Sequence, residues 1–170
     1  MHEDRAGDET RAVVSAIPEQ LIAHFAILRR AQVKGDALAL VGQPPFVSGR
    51  IRRTGLNPTL ARRVVTELGE MWVIPGDGFV ALYDGSMVAT EIDFVVRNGT
   101  VMWTSTTDGA NLVCGLVPDG ASEIALTATN GATVTVPVLD NVYRATLDGP
   151  FEMARFRGAA GDVAIGPGAE

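Results

Sequence analysis

The chain has 170 residues, 46% of them apolar and 20% charged, with a formal net charge of −6. That is a globular composition, long enough to remove roughly two-thirds of the unfolded surface from water, and it excludes a disordered chain. The negative charge argues against broad nucleic-acid binding, the single cysteine (Cys114) excludes an internal disulfide and a thiolate metal cluster, and no run approaches the roughly 18 apolar residues of a membrane-spanning helix.

Residues 1–16 read as a flexible polar arm. Its opening, MHEDRAGDETRA, is acidic and lacks the features of a signal peptide, so the expectation is either a protein that stays inside or a mature chain whose signal has been removed. A first helix is predicted from Pro18 to Arg30. Proline suits the first helical position, where its missing N–H has no intrahelical acceptor. Glu19 and Arg29/Arg30 match the two dipole ends, and Leu21, Phe25 and Leu28 share one face above Ile17. From Ala31 to Leu56 the period is lost among Gly35, Gly42, Pro44, Pro45 and Gly49. This reads as an irregular connection with one short element near Ala37–Val41 and an extended step at Pro44-Pro45. A second helix is predicted from Asn57 as N-cap and Pro58 as first residue to Gly69 as its stop. Ala61, Val64, Val65 and Leu68 would form its buried stripe, with Arg62, Arg63 and Thr66 outward.

From Met71 the period changes to two. Turn signals recur at roughly 8–14-residue spacing. They bound strands at Met71–Ile74, Phe79–Tyr83, Met87–Thr90, Ile92–Arg97, Thr100–Thr104, Asn111–Leu116, Ser122–Ala128, Thr133–Val138, Val142–Leu147 and Phe151–Phe156. A two-residue loop at Asn98-Gly99 would pair Val96 with Val101 and Phe94 with Trp103, giving a continuous apolar face. At Asn130-Gly131 that loop would put Leu126 beside Thr135. A three-residue loop, Thr129-Asn130-Gly131, instead pairs Leu126 with Val134 and Ile124 with Val136, through a type I turn and glycine bulge. Pro137 then lies on the polar face with Thr133 and Thr135 and marks an edge strand or a bulge. The tail from Gly158 reads as a flexible end. The fold class is α+β: two N-terminal helices on an antiparallel, mainly hairpin sandwich or coiled sheet, immunoglobulin-like in its C-terminal part. The helical part is placed at residues 17–70 and the β part at residues 71–157, as one compact domain.

Chemistry-bearing residues are few. Of the two histidines, His2 falls in the arm and His24 at the edge of the first helix's apolar stripe, where a packed boundary residue is the commoner role. Zinc sites of the HExxH kind are excluded, and a Ser–His–Asp triad would have to use His24. Cys114 sits in a hydrophobic strand and reads as a buried structural thiol. No phosphate loop, dinucleotide fingerprint or nucleophile elbow occurs. Asp77, Asp84, Asp108, Asp119, Asp140 and Asp148 mark turn tips without calcium-loop spacing. Neither a cofactor nor a metal is implied. The strongest charge feature is the window 29–63. It holds Arg29, Arg30, Lys34, Arg50, Arg52, Arg53, Arg62 and Arg63 against only Asp36, a net +7 in a chain of −6, so the remainder carries −13. Arg50, Arg52, Arg53, Arg62 and Arg63 are the candidate basic patch, for an anionic polymer, lipid head group or acidic partner protein. The competing reading is that this half complements the acidic β half within the fold.

The runs FAILRR (25–30), GLVPDG (115–120) and VPVLDNVY (136–143) resemble a group of bacterial proteins with no assigned activity. In that group a helical part with an FxxLRR run precedes a small β domain with a GLVPDG…VPVxDNVY signature. The resemblance covers about residues 17–147. It implies an extracytoplasmic setting and no catalytic residues. Group members carry more cysteines, whereas here Cys114 stands alone, which weakens the implied export. Three functions follow in order: a non-catalytic interaction module associated with the cell envelope; an enzyme using arginines and carboxylates in a helix–sheet cleft; and an intracellular regulatory domain docking an acidic partner through residues 29–63.

Overall fold

Alternating apolar residues bury one face of a sheet, and the described residues form three such sheets. The computed structural model of the chain describes residues 11, 12 and 14–167. The protein is α+β, with its strands in antiparallel sheets. The first sheet is a meander of β1 (Arg62–Thr66), β2 (Gly69–Pro75), β3 (Phe79–Tyr83) and β4 (Met87–Glu91), in spatial order β1-β2-β3-β4. The second, three-stranded, contains β5 (Met102–Ser105), β6 (Asn111–Leu116) and β9 (Val142–Leu147). The third, in order β11-β10-β7-β8, contains β7 (Glu123–Ala128), β8 (Thr133–Pro137), β10 (Phe151–Gly158) and β11 (Gly161–Ile165).

The second and third sheets face each other across a core of Val113, Ile124, Leu126, Tyr143, Leu147, Phe151 and Phe156. Lettered in chain order, their strands run A-B-E and G-F-C-C′, the arrangement of an immunoglobulin-like sandwich. The outer face of β6 and β9 contributes Cys114, Leu116 and Val142 to a second core, shared with Met71, Val73, Val80 and Leu82 of the first sheet. Helices α1 (Glu19–His24), α2 (Ala26–Arg29) and α4 (Ile92–Asn98) close this core with Leu21, Leu28 and Val95, together with Phe25 between the first two. Helix α3 (Pro45–Thr54) covers the far face of the first sheet, where Val47 and Ile51 meet Ile74, Ala81 and Tyr83.

The hairpin of β7 and β8 has the expected register, with Leu126 opposite Val134 and Ile124 opposite Val136. Gly131 takes φ 88° in the turn, and β8, carrying Pro137, is an edge strand. Strands β3, β6 and β9 match their expected limits.

Several elements differ from expectation. The first helix is broken at Phe25, whose φ of −131° and ψ of 104° are extended. The break turns a fully buried Phe25 into the core, and the amides after it are held by residues about a hundred positions away. The second predicted helix is absent. Asn57 does cap, accepting the Thr59 amide at 3.0 Å, but only the short 3-10 turn Pro58–Leu60 follows. Then β1 begins, because Val64, Val65 and Thr66 are β-branched and pair with β2. Val65 and Leu68, expected inside, are 57% and 44% exposed. The β part therefore starts at Arg62, within the stretch 17–70 assigned to helices. The connection read as irregular holds α3: Pro44 is extended, as expected, and Pro45 opens the helix despite Gly49. The strand expected at Ile92–Arg97 is α4, so Asn98-Gly99 ends a helix and closes no hairpin. The tail contains β11, paired along β10 from Ala154 to Gly158. Of the arm, Arg11 and Val14 donate backbone hydrogen bonds to the Arg52 and Gly55 carbonyls at 2.9 and 3.1 Å. His2 lies outside the described residues.

Candidate binding cleft

The three signature runs meet where α2 begins. Asp119 Oδ1 accepts the Ala26 amide at 2.8 Å and Asn141 Nδ2 at 2.9 Å, while its Oδ2 takes the Arg29 guanidinium at 2.6 Å. Asn141 Oδ1 accepts the Ile27 amide at 2.9 Å, and its Nδ2 also donates to the Val117 carbonyl at 3.0 Å. Asp140 and Asn141 hold φ of 50° and 66°, which asparagine and aspartate tolerate better than other side chains. Burial works to raise the Asp119 carboxyl, but the bonds from Asn141, the Ala26 amide and Arg29 outweigh it and hold it below the ordinary range. Beside this junction the Tyr143 hydroxyl donates to the Thr100 carbonyl at 2.9 Å. A Cβ at Gly115 would overlap both groups, so the ring packs there only over glycine. The FxxLRR, VPDG and DN runs thus clamp the helices to the sandwich.

Half of the basic window, Arg29, Arg30, Arg62 and Arg63, is engaged within the fold. Arg30 donates to both Asp36 oxygens, at 2.8 and 3.0 Å, and Asp36 also accepts the Val33 and Arg63 amides at 2.7 and 2.9 Å. The Arg30 bonds hold that carboxyl far below the usual carboxylate range, against the opposing effect of burial. Arg62, expected outward, is 7% exposed, and it donates to the carbonyls of Arg30 and Leu60 at 2.8 and 2.7 Å. Burial of Arg62 lowers its guanidinium pKa. Arg63 pairs with Glu70 at 3.0 Å, so neither Arg62 nor Arg63 belongs to an unpaired patch. Arg50, Arg52 and Arg53 lie on α3 and make no ion pair among the described residues. Because that segment is helical, Arg50 and Arg52 point in different directions instead of sharing a strand face.

Arg50 lines an open cleft of about 620 Å³ between the first sheet and the sandwich. One wall is the consecutive run Val88, Ala89, Thr90 and Glu91 of β4. Thr100 and Val101, just before β5, and Trp103 of β5 also line the cleft, and α4 contributes Asp93, Phe94 and Arg97. Phe94 and Arg97 are three apart in α4 and present side by side. Asp93 is held by Gln20 Nε2 at 2.8 Å, and Trp103 packs on Phe151 with ring centres 5.1 Å apart. Both β4 and β5 are edge strands of their sheets. The cleft therefore combines two edge strands, two arginines, two carboxylates and three aromatic rings, those of Phe79, Phe94 and Trp103. Sequence reasoning found Arg50 but missed Arg97, Phe94 and Asp93, because reading α4 as a strand dispersed them.

Cys114 is buried, and burial pushes its thiol up to about 12, as fits a structural residue. His24 is exposed, and its carbonyl accepts the Asp119 amide at 2.8 Å. Among the described residues no three His, Cys, Asp or Glu side chains gather as a metal site, and no helix is long and apolar enough to cross a membrane. No protein-family model, curated protein or solved structure matches the chain.

Proposed function

We propose that the protein is a non-catalytic interaction module that binds an extended segment of a partner protein in the cleft between β4 and β5. One observation carries this reading: four consecutive residues of β4 line the cleft. Side chains of a strand alternate between its faces, and Val88 and Ala89 pack against different cores on the two sides of the sheet, so the run borders the cleft along the strand's edge. That edge makes no backbone hydrogen bond to any element but β3 among the described residues. An added strand would take its outward N–H and C=O groups, while Phe94 and Trp103 receive apolar side chains and the mixed charges set register.

The same cleft holds the arginines and carboxylates that an enzyme of the kind considered from sequence would need. Glu91 and Asp93 are both exposed, however, so the cleft does not supply the water-excluded setting that strengthens such groups.

The test is selection of peptides from a random displayed library, followed by titration of the enriched sequences. Expected are extended peptides whose binding is lost in Trp103→Ala and Arg97→Glu, with slowed amide exchange at residues 88–91 on binding. Peptides indifferent to both substitutions, or binding without protection of β4, would defeat the reading.

A further inference from the structure

The turn before α3 has apolar residues where a turn ordinarily has polar ones. The Gln43 amide donates to the Leu40 carbonyl at 3.1 Å, and Gly42 holds φ 83°, which closes a tight turn over Val41 and Gly42. Val41 is 95% exposed at its tip, with Leu40 at 38% and Phe46 at 48%. The turn is anchored from behind by the Tyr83 hydroxyl, which donates to Gln43 Oε1. Helix α3 buries Val47, Ile51 and Thr54 and so directs Phe46, Arg50 and Arg53 along one flank, with Arg52 further out. Residues 40–54 contain three arginines and no acidic residue, in a chain of net charge −6.

We propose that this corner docks the protein peripherally on an anionic lipid bilayer, Leu40, Val41 and Phe46 entering the headgroup boundary and Arg52 and Arg53 meeting the lipid phosphates. Two observations favour a bilayer over a protein surface. Leu40 and Val41 stand on the turn, Val41 almost fully exposed at its tip, and Phe46 follows at the start of α3, a shape suited to insertion between headgroups. The guanidiniums beside them complement negative charge, the pairing of apolar and basic groups by which interfacial elements bind. The surface lies outside the β4–β5 cleft and does not depend on how that cleft is used.

Co-sedimentation with vesicles of phosphatidylcholine, alone or mixed with phosphatidylglycerol, tests it. Binding is expected to the mixed vesicles, weakened by salt, and reduced about fivefold for each of Arg52→Glu and Arg53→Glu. Val41→Asp, with every arginine intact, is expected to reduce it comparably. A Phe46→Trp reporter should shift its emission to the blue on the same vesicles; these are surface changes, and unaltered circular dichroism confirms the fold. Failure of the unsubstituted protein to bind mixed vesicles would overturn the proposal. So would binding insensitive to Val41→Asp, an unshifted emission from the Phe46→Trp reporter, or retention by polyglutamate in place of vesicles, which would identify an acidic polypeptide as the partner.

Discussion

Asn141 shows how much one side chain can decide. It holds the Ile27 amide, the Val117 carbonyl and Asp119 at once, in a left-handed conformation with φ 66°. Asn141→Ala should cost about 3 kcal/mol in urea denaturation, from orphaned buried groups plus backbone strain. Asn141→Gly removes the strain alone and should recover only part. Asp119→Asn keeps an acceptor for the Ala26 amide and loses a half-exposed ion pair with Arg29, so it should cost nearer 1 kcal/mol. A larger loss at Asp119 than at Asn141 would reverse this ranking. Asp36 makes a pH prediction. Its carboxyl titrates lower folded than unfolded, chiefly through Arg30, so its stabilisation is complete above the unfolded value of roughly 4 and is lost as pH falls through the folded value. Stability measured from pH 5 downward should therefore fall, and Asp36→Asn should be less stable at neutral pH with a shallower acid slope. An unchanged slope in that variant would show that other carboxylates carry it.

Elements were legible where local pattern and tertiary setting agreed. The β7–β8 hairpin could be read to its register because only one loop length keeps Ile124, Leu126, Val134 and Val136 on one face, and these four do share a core. Helix α4 could not. Ile92, Phe94, Val96 and the apolar residues after Asn98-Gly99 fit a two-residue period, yet Ile92 and Val95 are the ones buried. Apolar runs this short fit both periods, and packing decides. The same failure hid the cleft, since Phe94 and Arg97 adjoin only on a helix. Arg50 was visible as charge, but its place in the cleft depends on α3, which Gly49 and two prolines disguised. The two Asn-Gly sites now make opposite predictions. Gly131 holds φ 88° with open space where a Cβ would go, so Gly131→Ala should cost only about 1 kcal/mol. Gly99 holds φ 67°, and a Cβ there would lie 2.7 Å from the Leu116 carbonyl oxygen, so Gly99→Ala should cost about 3 kcal/mol or more. Equal effects in thermal or urea melts would place Gly99 in a turn like that of Gly131 after all.

At the scale of the molecule, the sandwich and the meander depend on each other. Cys114, Leu116 and Val142 lie on the sandwich's outer face, where an isolated immunoglobulin-like unit would meet water, and here they are buried against the first sheet. The two layers are also joined by Arg144 of β9 and Asp84 of the β3–β4 turn, 3.1 Å apart with side chains 9% and 12% exposed. Arg144 Nε is buried without a hydrogen-bond partner among the described residues, so this pair is incompletely compensated. Such a pair stabilises little by being present, yet breaking it from one side strands a buried charge. The two tryptophans lie on opposite sides of this junction: Trp72 beside Tyr83 in the meander, Trp103 beside Phe151 in the sandwich. Trp72→Phe and Trp103→Phe variants therefore report each layer separately by fluorescence. One shared core predicts that both signals melt at one urea midpoint. Arg144→Met should lower both midpoints together, with a loss of stability of about 3 kcal/mol, and adding Asp84→Asn should restore most of it, because the stranded charge is then gone. Midpoints that separate in the parent protein would show two folding units in contact. Midpoints that separate only in Arg144→Met would assign the coupling to the ion pair, and then the apolar contact of Leu116 and Val142 with the meander could not be what makes the two layers fold as one.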